Sequence, residues 1–325
     1  MSSKTDGEAA AAAASRPGPR KLKILMLHGY TQSGPSFHAK TRALEKALVK
    51  AFPPPPPAPH KSPASSLRNY PGGIQLIYPT GPIRLHPADI PGSDPSVLQS
   101  STTSTISTAN GQSDGRGEED EDGPDAWGWW KKADAPDETY VGLERGLEVV
   151  RETILAAGGV DGVIGFSQGG AFAGLVASLL EPARSSSFPS PSPLPTSTTT
   201  PPFAYPAAWT ALNHPPLKFA VSYSGFYAQA EQYRGFYEPK IATRFLHVIG
   251  SLDSVVEEAR SEGFVERCAD ALRVVHPGGH FVPVGKEWVG VLVGFLRDVL
   301  ARDEQEDDGD ACGEKGGVED MDVPF

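Results

Sequence analysis

Residues 161–180 read DGVIGFSQGGAFAGLVASLL. Two patterns meet in this stretch. GVIGF is a short, continuous apolar run, as expected of a strand buried on both faces. AFAGLVASLL is small and apolar all round, as expected of a helix packed against a sheet. Ser167 stands between them, with Gly165 and Gly169 on either side. A strand that becomes a helix within one residue leaves no room for neighbouring side chains, which would collide across the turn. A serine held there is in a strained conformation costing of order 1–3 kcal/mol. Its oxygen then stands clear of the sheet.

The same alternation extends in both directions. LKILMLHG (22–29) reads as a buried parallel strand, and SFHAKTRALEKALVKAF (36–52) as a helix with Phe37, Leu44, Leu48 and Phe52 on one face and Ser36 as its cap. IQLIYP (74–79) is a second strand. DETYVGLERGLEVVRETILAAGG (137–159) is a helix with Tyr140, Leu143, Leu147, Val150 and Ile154 inward, ended by Gly158 or Gly159. Further strands are expected at 217–225, 243–250 and 272–279, with helices at 257–271 and 286–300. Continuous apolar strands alternating with helices predict a doubly wound, mostly parallel α/β sheet with helices on both faces. Such sheets bind ligands beyond the carboxyl ends of their strands.

Composition divides the rest of the 325 residues. A single domain is expected over 21–301, with low-complexity inserts at 53–69, 87–125 and 182–216. Disordered tails are expected at 1–20 and, acidic, at 302–325. The net charge of −11 gives no electrostatic reason for nucleic-acid or anionic-membrane binding. No apolar run approaches membrane-spanning length. Two cysteines make neither a disulfide framework nor a four-thiolate zinc site, and Cys268 reads as a small buried hydrophobe. The expected location is cytoplasmic, with the nucleus as an addition, and neither a metal nor a cofactor is expected.

Four strand ends then offer chemistry: the loop HGYTQSG (28–34), Ser167, Asp253 in SLDS and His280 in PGGHF. Each has a plain structural alternative, such as a turn, a helix cap for Asp253 or a surface loop for His280. Together they run Ser, Asp, His, the chain order of an α/β-hydrolase. Ser167 would be the nucleophile, His280 the base and Asp253 the group that fixes the histidine tautomer. The backbone N–H of Gln168 opens the helix and points at the site with the helix dipole behind it. A second oxyanion donor is expected from the backbone of Tyr30 or Thr31, with Gly29 making the turn and the His28 side chain bracing it.

The motifs LHGYTQSG, WGWW, DGVIGFSQGGAFAGLVASL, AVSYSGF, HVIGSLDSVV and HPGGHFVP occur in order across residues 22–83, 126–181 and 217–300. They resemble the fungal family of serine hydrolases, whose relatives include the ovarian-cancer-associated serine hydrolase and fungal polyketide-releasing thioesterases. The resemblance implies Ser167, Asp253 and His280 as the triad and the Gly29–Thr31 loop at the oxyanion. It also implies little or no lid and a small-molecule acyl ester or thioester as substrate. An acyl-carrier or synthase partner is implied for the polyketide-releasing branch. Acyl-protein thioesterases share the Gly-Phe-Ser-Gln-Gly elbow and give a close variant. A non-catalytic binding role would show a broken triad. A nucleotide-binding dehydrogenase would need Gly-x-Gly-x-x-Gly after the first strand, which HGYTQSG does not supply.

Trp129 and Trp130, after Trp127, are expected to build an apolar wall for an acyl chain, with anchoring of the preceding insert as the alternative. Phe226 is expected to face the same pocket. Ser224, a second strand-end serine, lacks the small-residue helix that follows Ser167.

Overall fold

A computed structural model of the chain describes residues 18–54, 67–90, 124–133, 139–189 and 202–313. Its main sheet has six strands: β1 (Leu22–Leu27), β2 (Ile74–Ile77), β7 (Gly162–Phe166), β8 (Phe219–Tyr223), β9 (Phe245–Gly250) and β10 (Ala271–His276). Their spatial order is β10-β9-β8-β7-β1-β2, and every pairing is parallel. Two short ribbons stand outside it, β3 (Ile83–Arg84) with β4 (Trp127–Gly128) and β5 (Lys131–Lys132) with β6 (Tyr140–Val141). The central strands β7, β8 and β9 are buried at every residue, whereas the edge strands β2 and β10 are partly exposed. The order reverses between β1 and β7. The crevice at the carboxyl ends of those two strands is therefore where a doubly wound sheet of this order places a ligand.

Successive strand residues feed opposite layers. Ile24 and Met26 pack with Phe37, Leu44 and Leu48 of α1 (Gly34–Ala51), and with Leu292 and Leu296 of the C-terminal helix. Leu25 and Leu27 pack on the other face with Leu147 and Val150 of α2 (Leu143–Ala156) and with Phe172 and Val176 of α3 (Gln168–Leu179). The remaining helices are α4 (Ala207–Thr210), α5 (Glu258–Val265) and α6 (Lys286–Gly313). Among the described residues, no helix is long and apolar enough to cross a membrane.

Several local expectations are corrected. Ser33, not Ser36, caps α1; the Ser33 hydroxyl accepts the Ser36 N–H while the Ser36 hydroxyl accepts the Ser33 N–H. Tyr140 is buried but belongs to β6, because α2 starts only after the left-handed Gly142. At the other end of α2, Gly158 and Gly159 both adopt positive φ and close the helix through bonds to Leu155 and Ile154 carbonyls.

The expected inserts and tails are smaller than their composition suggests, although 1–17, 55–66, 91–123, 190–201 and 314–325 lie outside the described residues. Arg20 pairs with Asp161 at 3.2 Å. In the third insert Phe188 and Trp209 are core residues. Arg184 is buried on Glu181, whose carboxylate also accepts the Ala242 and Thr243 N–H groups at 2.7 and 2.8 Å. Helix α6 runs past residue 302 to Gly313. Extending an existing helix needs no new nucleus, and Asp303 and Glu304 reach back to Lys218 and the Arg68 N–H. Replacing Trp209 by Ala should therefore cost about 3–5 kcal/mol of stability in urea unfolding; an unchanged midpoint would show that this segment is not part of the core.

Candidate active site

The turn after β7 is tight because two glycines let backbones touch. A Cβ built on Gly165 would lie 1.9 Å from the Gly169 carbonyl oxygen, and one on Gly169 would lie 2.1 Å from that of Leu27. Any side chain there would push α3 off β1. Ser167 takes the strain, at φ 54° and ψ −117°. Its N–H donates to the Tyr223 carbonyl at 2.8 Å, and its carbonyl accepts the Ala171 N–H at 3.0 Å, so sheet and helix both hold it.

The structure brings Ser167, His280 and Asp253 together. The His280 Nε2 lies 2.9 Å from Ser167 Oγ, and its Nδ1 lies 2.7 Å from Asp253 Oδ2. The two loops that carry His280 and Asp253 are bonded to each other: the Ser251 and Leu252 N–H groups donate to the His276 and Gly278 carbonyls. The ring of Phe166 lies 4.9 Å from that of His280 and backs it.

Asp253 divides its two oxygens. Oδ1 accepts the N–H groups of Val255 and Val256, both at 2.9 Å, leaving Oδ2 for His280. The helix-cap alternative is thus half right: the carboxylate does accept backbone donors, but Glu257 is the N-cap of α5. Burial pushes the Asp253 carboxyl up. Hydrogen bonds from Val256, His280 and Val255 outweigh that push, and the nearby Ser224 hydroxyl adds to them, so the group sits below the usual carboxylate range. Ser224 acts at longer range than a formed hydrogen bond, since its Oγ has no bonded partner.

The loop after β1 is braced by His28. Burial lowers its pKa to about 4, so the ring is neutral at pH 7. Its Nε2 accepts the Gly81 N–H at 2.9 Å, which leaves the proton on Nδ1 to donate to the Gly29 carbonyl at 2.8 Å. The two oxyanion candidates on this loop separate here. The Thr31 N–H already donates to the Trp127 carbonyl at 2.9 Å. The N–H groups of Tyr30 and Gln168 have no acceptor among the described residues. Of the three N–H groups expected at the oxyanion, these two are left without an acceptor.

A cavity of about 350 Å³ opens on Ser167, walled by Trp130, Tyr140, Phe226, Val255 and Val256. Trp130 and Phe226 are therefore pocket residues. Trp129 is not: it is fully buried, with its ring 4.8 Å from His28 and 5.0 Å from Phe172 and its indole N–H on the His28 carbonyl. Adjacent residues of an extended segment point in opposite directions, and only one of the pair can face the cavity. A larger cleft of about 540 Å³, lined by Arg20, Lys23 and Asp161 among others, lies at the amino ends of the strands, away from all this chemistry.

One residue has a role that sequence reasoning missed. The side-chain amide of Gln168 is buried, accepting the Trp129 N–H at 2.9 Å and donating to the Trp130 carbonyl at 2.8 Å. The helix that follows Ser167 thereby grips the segment between β4 and β5 that presents the pocket wall. A glutamine after the serine and a distant WGWW carry no signal that the two would meet. Tyr140 was missed as a wall residue because its stretch reads as helix.

Residues 17–292 match the family model described as Serine hydrolase (FSH1). The Saccharomyces cerevisiae protein "Family of serine hydrolases 3" is 28% identical over 88% of this chain and 87% of its own length. "Esterase OVCA2" of Danio rerio is 27% identical over 85% of this chain and 96% of its own. A Schizosaccharomyces pombe protein named "Dihydrofolate reductase" is 31% identical over 81% of this chain, which spans 44% of that protein's length.

Replacing Gln168 by Leu keeps the bulk and removes both amide bonds. Stability should fall by about 1–3 kcal/mol for each backbone group left unpaired, read by urea unfolding with tryptophan fluorescence. An unchanged midpoint would mean the amide does not hold the wall.

Proposed function

This chain belongs to the FSH1 family of serine hydrolases, and we propose that it cleaves carboxylic esters or acyl thioesters through Ser167, His280 and Asp253. The observation that carries this reading is the continuous chain of hydrogen bonds from Asp253 through His280 to Ser167, at 2.7 and 2.9 Å. The strained turn that exposes Ser167 supports it.

A serine hydroxyl is a weak nucleophile at neutral pH and needs an adjacent base. His280 Nε2 takes the Ser167 proton as Oγ forms a bond to the acyl carbon. The carbonyl oxygen of the substrate becomes an oxyanion, and the N–H groups of Tyr30 and Gln168 donate to it. Each such donor is worth about 10²–10³ in rate. His280 is now a cation, and the Asp253 carboxylate, held ionised by its backbone donors, stabilises it without taking its proton. The imidazolium returns the proton to the departing alcohol or thiol, and the acyl group stays on Ser167. Water then repeats the sequence, with His280 as base, to release the acid. The apolar walls of Trp130, Tyr140 and Phe226 suit an acyl chain.

A fluorophosphonate probe should label the protein, and Ser167→Ala should abolish labelling. His280→Ala should lower kcat by roughly 10⁶-fold and Asp253→Asn by roughly 10⁴-fold, by analogy with other triads. Labelling that survives in Ser167→Ala would move the nucleophile elsewhere, with Ser224 the first residue to test.

A further inference from the structure

The cavity that opens on Ser167 carries charge as well as apolar wall. Arg260, Lys131, Lys132 and Asp89 all line it. Among the described residues that line it, cations outnumber the anion, in a chain whose net charge is −11. Such an excess draws anions into the cavity and disfavours cations.

Four of the described carboxylates near it are already engaged, and a fifth, Glu257 at the helix N-cap, makes no ion pair with Arg260. Asp89 binds Lys131 at 2.6 Å. Glu258 and Glu262, on the same helix as Arg260, both bind Arg273. Asp253 binds His280. Arg260 is left without an ion pair or a side-chain hydrogen bond among the described residues, and its Nε is sealed from solvent with no partner. Its guanidinium lies over the ring of Phe226, 4.3 Å from the centroid. That stacking fixes the plane of the fork while leaving its N–H groups unpaired. The sealed Nε is out of a ligand's reach, so the terminal N–H groups, which no described residue accepts, are the ones that present themselves to a carboxylate or phosphate, with the geometry for two parallel bonds.

We propose that Arg260 is a specificity-determining residue that selects substrates carrying an anionic group in addition to the acyl bond. The inference rests on the hydrolase reading above. The anion has two possible sources: a carboxylate at the far end of the acyl chain, or a phosphate on the leaving group. Phe226 joins the two halves of the pocket, since one face of its ring orients Arg260 and the ring itself is part of the apolar wall.

Two matched pairs of substrates separate the sources. The first is the 4-nitrophenyl monoester of glutaric acid against 4-nitrophenyl methyl glutarate. The second is butyryl-coenzyme A against the butyryl thioester of N-acetylcysteamine. In at least one pair, kcat/KM should favour the charged member by about tenfold to a hundredfold, the range for a charge-assisted hydrogen bond. The preference should reside in KM, vanish in Arg260→Gln and partly return in Arg260→Lys. Arg267, which stacks on Tyr227 outside this cavity, supplies the control: Arg267→Gln loses the same charge and should keep the preference. Charged-to-neutral ratios that are equal in the native protein and Arg260→Gln, for both pairs, overturn the inference. Probe labelling and unfolding midpoints of each variant exclude misfolding as the cause of a lost preference.

Binding of glutarate and coenzyme A to the Ser167→Ala protein, measured by calorimetry with and without Arg260→Gln, separates this inference from the hydrolase reading. Arg260-dependent binding without turnover of any substrate would sink the hydrolase reading and uphold the anion site. Turnover with Arg260-independent binding of both ligands would do the reverse.

Discussion

The close approach of α3 to β1 is the constraint on which the rest of the site depends. Gly169 lets the first turn of the helix rest on the Leu27 carbonyl, and Gly165 lets the strand pass under it. That contact puts Ser167 in a conformation serine does not choose for itself, and it starts α3 at Gln168, at the carboxyl end of β7 where the strand order reverses. The loop after β1 begins one residue beyond Leu27, so the contact that strains Ser167 also sets its distance from Tyr30. The Ser167 hydroxyl and the N–H groups of Gln168 and Tyr30 are thereby held by backbone packing rather than by mobile side chains.

Around that fixed point the polar groups are shared out with little slack. Asp253 gives one oxygen to backbone donors and one to His280. His28 uses both ring nitrogens on the backbone and is kept neutral by burial. Gln168 spends its side chain on the Trp129–Trp130 segment, and its backbone N–H has no acceptor among the described residues. Ser224 and Arg260 are exceptions: the Ser224 hydroxyl has no bonded partner, and Arg260 is a cation stacked on Phe226 with an N–H that nothing in the described protein accepts.

The fold and the three polar residues at its strand ends were legible in the sequence, because buried parallel strands are continuous apolar runs and the chemistry falls just after them. What remained hidden depended on pairing across the chain. Tyr30 and Thr31 are equivalent in sequence, and only the bond from Thr31 to Trp127 separates them. Trp129 and Trp130 look alike until the direction of each side chain is known. Ser33 and Ser36 satisfy the same cap preference in sequence, and a capping box uses both. The acidic stretch after 302 has the composition of a solvated tail, yet a helix already under way carries it to Gly313. Proline- and serine-rich composition hid Phe188 and Trp209, single large side chains that anchor the ends of an insert to the core.

The central claim is that acyl groups pass through Ser167. Rapid-quench mass spectrometry during turnover of a nitrophenyl ester tests it directly. Tryptic peptides 152–184 and 219–234 separate Ser167 from Ser224. The account predicts a burst of one acyl group per chain, carried by Ser167 within the first peptide and released as product forms. An acyl group on the second peptide, or turnover with no acylated peptide under conditions where the burst is complete, would contradict it.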